Sequence, residues 1–210
     1  MAQYRVLGVV GDFYHGEKPI RDSLESAVDR LRNGGLNGED GGGETKVRLD
    51  FGTTDELAAA LAGSGRPDAV VLFKENRLDP ERDGGKLWMD TETEEAIAAY
   101  VRTGGAWLAW HSGMASYPTD GAYAAMLRGW FLHHPSEHKT VRYEPTGDFL
   151  PPTSAGFELL DEHYFVQCDV ARTDAFLRSV SPDGQSIAGW RHPFGEGRVL
   201  GLTPAHRPEG

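Results

Sequence analysis

The sequence predicts an α/β protein, a doubly wound and mostly parallel sheet with helices on both faces, followed by a β-rich last third. Three observations carry that expectation. Short apolar runs dense in branched residues alternate with amphipathic helical stretches from residue 4 to about residue 128. Those runs are apolar almost throughout, as in strands buried on both faces of a parallel sheet. In the last third the pattern changes to β-rich pieces separated by turn residues. With 210 residues and neither a repeat nor a linker, the chain reads as one domain.

Tyr4 to Val10 is the first predicted strand, and Ile20, Leu24, Ala27, Val28 and Leu31 follow at helical spacing as the first crossover helix. The connection "GGLNGEDGGGE" from Gly34 has six glycines in its first ten residues and reads as a mobile surface excursion. A strand follows it, not a helix N-terminus, so it is no phosphate loop. "TKVRLDF" reads as the second strand, and Thr53 with Glu56 forms a capping-box pattern ahead of "LAAALAG". "DAVVLFK" is a third buried strand, followed by the polar loop "ENRLDPERDGGKLWMD". Thr91 and Glu94 repeat the capping-box pattern before "EAIAAYVRTGG", whose glycine pair supplies the stop. "AWLAW" is the fourth strand. In the last third "HKTVRYEPT", "FELLDEHYFV" and "SIAGWRHPFGEGRVLGLTP" read as strands, the last a hairpin turning at Gly195 to Gly197.

Asp and Glu outnumber Lys and Arg by 32 to 21, a formal charge of -11, which is the wrong sign for neutralising phosphates and argues against nucleic acid and anionic membrane as partners. Cys168 is the only cysteine, so no internal disulfide forms, and a cytoplasmic setting is expected. The N-terminal stretch reads as a strand and not a signal peptide, and no segment approaches the roughly 20 apolar residues of a membrane helix.

In open α/β sheets ligands bind beyond the carboxyl ends of the strands, where histidines recur in this chain. His15 follows the first strand and His111 the fourth; His133 and His134 lie in the loop after the next helix, and His206 follows the last strand. Any one of them alone reads as a surface or hydrogen-bonded loop histidine. Together, at one edge, they suit general acid–base work near neutral pH or a borderline divalent metal. The stretch "GGAWLAWHSGMASYP" adds a steric argument, because a tight strand-to-helix turn needs small residues two before and two after its apex. An apex at Ser112 puts Trp110 and Met114 there; an apex at His111 puts Ala109 and Gly113 there. His111 therefore takes the strained position, where a helix N-terminus would lower its pKa. Ser112 then caps the turn or touches a substrate.

These residues resemble the trehalose-utilisation (ThuA-like) family, relatives of the class I glutamine amidotransferase fold. Besides the His-Ser stretch, the resemblance rests on "LRGWFLHHP", "DEHYF" and "GWRHPFGEGRVLGLTPAH". It implies a flavodoxin-like sheet and marks His15, His111, Ser112, His134, Glu162, Trp190 and His206 as pocket residues, Pro135 selecting His134 over His133. The amidotransferase relatives carry their cysteine nucleophile where His111 stands, so cysteine-dependent glutamine hydrolysis is not expected. In two places the chain departs from the family: the late Gly-His is Ala205-His206, and the sequence stops at Gly210 where a closing helix usually follows, which raises coverage of that edge by a second copy.

The resemblance implies a role with trehalose, related glycosides or keto-sugars. Trp130, Trp190 and Tyr14 are expected to lie against the sugar, with Trp107 and Trp110 in the core. His111 and Glu162 are the expected acid–base partners with Ser112 close by, although the carboxylates of "DEHY" equally suit a solvated turn. His15, His111, His134 and His206 either hold a divalent metal, zinc or manganese, or orient substrate. Two functions stand side by side: a carbohydrate hydrolase or isomerase, and a non-catalytic sugar- or metal-binding module.

Overall fold

The computed structural model describes residues 3–33, 46–82 and 84–205. The glycine-rich connection from Gly34 and His206 lie outside the described residues.

The first two thirds alternate as expected: β1 (Gln3–Val10), α1 (Glu17–Arg32), β2 (Lys46–Phe51), α2 (Thr54–Ala62), β3 (Ala69–Phe73), α3 (Thr91–Arg102) and β4 (Ala106–Trp110). A single 3-10 turn (His111–Met114) follows β4, then α4 (Ala122–Leu127). The rest is β5 (Gly129–His133), β6 (Lys139–Pro145), β7 (Phe157–Asp161), β8 (Phe165–Cys168), β9 (Asp174–Ser181), β10 (Gly184–Phe194) and β11 (Gly197–Leu202). His133 thus ends a strand and does not sit in the expected loop.

Among the described residues nine strands form one sheet in the order β2-β1-β3-β4-β11-β10-β9-β6-β7, and β5 pairs with β8 apart from it. From β2 to β11 every pairing is parallel, and from β11 to β7 every pairing is antiparallel. The hairpin turning at Gly195–Gly197 does this, because β11 returns along β10 and docks on β4.

Side chains alternate across each buried strand. Val70 and Leu72 of β3 join Leu57, Leu61, Ile97, Val101, Tyr123 and Leu127 under α2, α3 and α4. Val71 and Phe73 meet Ile20 and Leu24 of α1 on the other face, so helices cover both faces of the parallel half. Val141, Tyr143, Phe176, Leu177 and Ala188 form a third cluster on the antiparallel half.

At α2 the Glu56 carboxylate accepts from the Thr53 amide (3.1 Å) and hydroxyl (3.0 Å), as the capping-box pattern predicts. The pattern misleads at α3. Asp90 is the cap there, accepting from the Thr93 amide at 2.8 Å, and Glu94 turns inward to take the Tyr123 amide at 3.0 Å. Among the described residues no helix is long and apolar enough to cross a membrane.

Candidate functional site

From β1 the chain moves to β2 on one side and to β3 on the other, so the sheet has a topological switch point between β1 and β3. Beyond the carboxyl ends there lie Asp12 to His15 after β1, Lys74 and Glu75 after β3, and His111 after β4.

His111 is 0% exposed and has φ +48°, the strained apex that its small neighbours predicted. A Cβ on Gly113 would lie 2.1 Å from the Leu72 carbonyl oxygen, which is why that position is glycine. The Nδ1 of His111 lies 2.7 Å from the Thr203 carbonyl oxygen; a carbonyl only accepts, so Nδ1 carries the proton and Nε2 presents a lone pair. Burial lowers the pKa of this imidazole, against the raising influence of Glu162. The expected helix dipole is not the cause, because only one 3-10 turn follows.

His15 is oriented in the same manner. Its Nδ1 lies 2.6 Å from Asp12 Oδ1, which also accepts the amides of Tyr14 and His15. Burial alone would raise the Asp12 carboxyl, but the hydrogen bond from His15, with help from Ser112 and the Glu75 amide, brings it down to about 2. Asp12 is therefore an acceptor, and His15 too holds its proton on Nδ1.

From Asp161, the last residue of β7, to Tyr164 ahead of β8, successive side chains meet alternate sides. Asp161 turns to the sheet and accepts from Tyr143 Oη (2.7 Å), the Ala205 amide (2.8 Å) and the Glu162 amide (2.9 Å). His163 meets the hydroxyls of Ser181 (2.7 Å) and Ser179 (2.9 Å). Glu162 and Tyr164 turn to the switch point. Glu162 lies 3.6 Å from His111 Nε2, 3.8 Å from His134 Nδ1 and 3.7 Å from His138 Nε2. The Tyr164 ring stacks on His111 with centroids 3.9 Å apart.

Glu162 and Tyr164 border a cleft of about 350 Å³ lined also by Tyr14, His15, Glu75, Arg77, Ser112, Ala115, Ser116, Phe131 and His134, with His111 buried behind it. Ser112 is buried and does not cap the turn; its hydroxyl lies by Asp12 without a hydrogen bond of good geometry. The ligand atoms of His15, His111 and Glu162 all fall within 4.8 Å of one another. His134 is exposed, with Nδ1 also 2.8 Å from the Pro135 carbonyl oxygen, and stands outside that cluster.

Of the residues named from sequence, the structure brings His15, Tyr14, Ser112, His134 and Glu162 to the wall of this cleft and His111 directly behind Glu162. Trp190 stands in the core at 0% exposure, its Nε1 donating to the Leu127 carbonyl at 2.8 Å. A Cβ on Gly201 would be 2.4 Å from its ring, so two glycines, 129 and 201, are what let it pack there. Trp130 pairs with Gln167 on the separate two-stranded sheet and does not border the cleft. The aromatic residues that line the cleft are Tyr14, Phe131 and Tyr164. His133 stacks on Phe165 away from the cleft. Cys168 packs in the main core, with burial raising its thiol pKa.

Sequence reasoning missed Asp12, Glu75, His138 and Tyr164. Asp12 and Glu75 follow the ends of β1 and β3, and a carboxylate in such a loop reads in sequence like any solvated surface acid. Glu75 is 3% exposed; its Oε1 takes Ser116 Oγ (2.6 Å) and an ion pair with Arg77, while its Oε2 makes no hydrogen bond among the described residues.

The fold has solved counterparts. A protein of Parabacteroides merdae ATCC 43184, provisionally named ThuA-like, aligns over 98% of this chain and 80% of its own, with a TM-score of 0.69 and 11% identity. One of Bacteroides uniformis ATCC 8492 with the same provisional name aligns over 99% and 83%, with a TM-score of 0.62 and 16% identity. A β-galactosidase of Bacillus circulans sp. alkalophilus aligns over 99% of this chain but 29% of its own, with a TM-score of 0.59 and 7% identity. No family model matches the sequence, and no curated protein does. At such identities the likeness is one of fold: the chain has the α/β fold of the ThuA-like structures.

Proposed function

We propose that the chain is a ThuA-like protein of the amidotransferase-like superfamily that acts on a carbohydrate, a trehalose-related glycoside or keto-sugar, in the cleft beyond β1, β3 and β4. The observation that carries this reading is the pair of His111 Nε2 and Glu162 Oε2, 3.6 Å apart beside a cleft of about 350 Å³. Neutral His111, with its proton on Nδ1, offers Nε2 as a base. Glu162 stands beside it to accept or return the second proton, an arrangement that serves hydrolysis and isomerisation alike. Tyr14, Phe131 and Tyr164 offer apolar faces to the C–H surface of a sugar, and Glu75, Ser112, Ser116 and His134 offer groups for its hydroxyls.

The order β2-β1-β3-β4 with β11 parallel beyond it supports a flavodoxin-like ancestry. The buried Cys168 supports the absence of a cysteine-dependent amidotransferase reaction. A screen of glycosides and 3-keto-sugars tests the proposal. Turnover by wild type that is lost in His111→Ala and Glu162→Gln, with unchanged circular dichroism, is expected; unchanged turnover in both variants would overturn it.

A second reading, a non-catalytic binding module, draws support from the β-galactosidase, in which this fold spans 29% of a larger chain. It expects a sugar-dependent rise in Tm with no product in the same screen.

A further inference from the structure

We infer that His15, His111 and Glu162 form a site for one divalent first-row transition cation, zinc by preference, with a further coordination position open to the cleft. The inference rests on the reading of this cleft as the functional site, and it differs from the histidine set suggested by strand ends: Glu162 enters, His134 stands outside the cluster, and His206 lies outside the described residues.

Three features of the geometry lead to it. First, each imidazole has a fixed orientation: His15 donates from Nδ1 to Asp12 at 2.6 Å and His111 from Nδ1 to the Thr203 carbonyl at 2.7 Å. A carboxylate or carbonyl on the outer nitrogen is how a metal-ligating histidine is held, since it fixes the tautomer and turns the Nε2 lone pair inward. Glu162 is braced as well, through its own amide on Asp161, which Tyr143 and the Ala205 amide hold in turn.

Second, the spacing fits. With metal–ligand bonds of about 2.0–2.1 Å, tetrahedral ligand atoms stand about 3.4 Å apart. His111 Nε2 and Glu162 Oε2 are 3.6 Å apart, and no pair in the cluster exceeds 4.8 Å, so the longest edge closes by about 1.4 Å at most.

Third, the field is that of a cation site. The carboxylates of Asp12, Glu75 and Glu162 surround the two imidazoles. The cations nearby have other partners: Arg77 pairs with Glu75, and Lys74 Nζ donates to the Gly11 carbonyl at 2.7 Å. Two imidazoles and one carboxylate are the donor set of open, three-ligand zinc sites, and first-row affinities place zinc above manganese.

The test is calorimetric titration of chelator-stripped protein with zinc chloride, alongside elemental analysis of protein purified without chelator or a metal-affinity tag. One equivalent of zinc is expected in wild type and in His133→Ala, whose ring lies on Phe165. Binding should vanish in His15→Ala and Glu162→Ala, and weaken by about 10- to 100-fold in Asp12→Asn. Wild type that takes up no stoichiometric zinc, or His15→Ala and Glu162→Ala that both keep it, would overturn the inference. Where zinc uptake fails in that way, a sugar-dependent Tm rise in the zinc-free protein leaves the carbohydrate reading standing, and its absence removes both.

Discussion

The parallel and antiparallel halves of the sheet build the cleft by different means. In the parallel half all strands run one way, so their carboxyl ends share an edge, and whatever follows β1, β3 and β4 becomes neighbours: His15, Glu75 and His111. In the antiparallel half no common edge exists. There Glu162 and Tyr164 reach the cleft because the connection between β7 and β8 crosses to the switch point, held by Asp161 on Tyr143 and Ala205. Topology sets the floor, and a few long-range hydrogen bonds set the wall.

If both halves are needed, Glu162→Gln and His111→Ala each lower kcat by about 10²- to 10⁴-fold, the usual worth of a positioned acid or base. Comparable losses confirm a shared site; a loss confined to His111→Ala would reduce the antiparallel half to a cover. The next largest effect falls on the floor alone. Gly113→Ala places a methyl 2.1 Å from the Leu72 carbonyl oxygen, and about 3 kcal/mol of stability should go with it, read from the urea midpoint.

The same division decides what the sequence made legible. The parallel half could be read because buried strands and amphipathic helices leave distinct periodicities, and because the position after each strand is known once the strand is. The apex at His111 followed from nothing more than the sizes of Ala109 and Gly113. The wall was hidden, since strand pairings such as β11 between β4 and β10 depend on register between residues far apart in sequence. The motif "DEHY" pointed to Glu162 but not to the alternation that sends Tyr164 onto His111 and His163 away. Trp190 was misassigned because a tryptophan that packs on two glycines looks, in sequence, like one that faces a sugar.

Acid sharpens the comparison further. Burial depresses the pKa of His111 in the parallel half and of His163 and His192 in the antiparallel half. Each is neutral in the fold and binds a proton more readily when unfolded, so stability is lost as pH falls below about 6.5. Thermal melts between about pH 7.5 and 5.5 should show Tm falling by a few degrees. His163→Asn should remove part of that fall, and an unchanged slope would assign it to other groups. Asp12, held down to about 2, has its effect in far stronger acid.

The smallest effect concerns the joint between the halves. Ala205 has φ +78°, a region glycine adopts without the Cβ penalty, and its amide donates to Asp161 at 2.8 Å, so the brace of Glu162 holds a strained residue. The resembled family carries glycine at this place. Ala205→Gly should relieve the strain, offset in part by the entropy of a freer unfolded chain, for a net gain of about 0.5–1 kcal/mol and roughly 2–4 °C in Tm per kcal/mol. Turnover should stay unchanged, because the amide that holds Asp161 is retained. A fall in Tm would mean that the left-handed backbone at Ala205 costs the fold nothing.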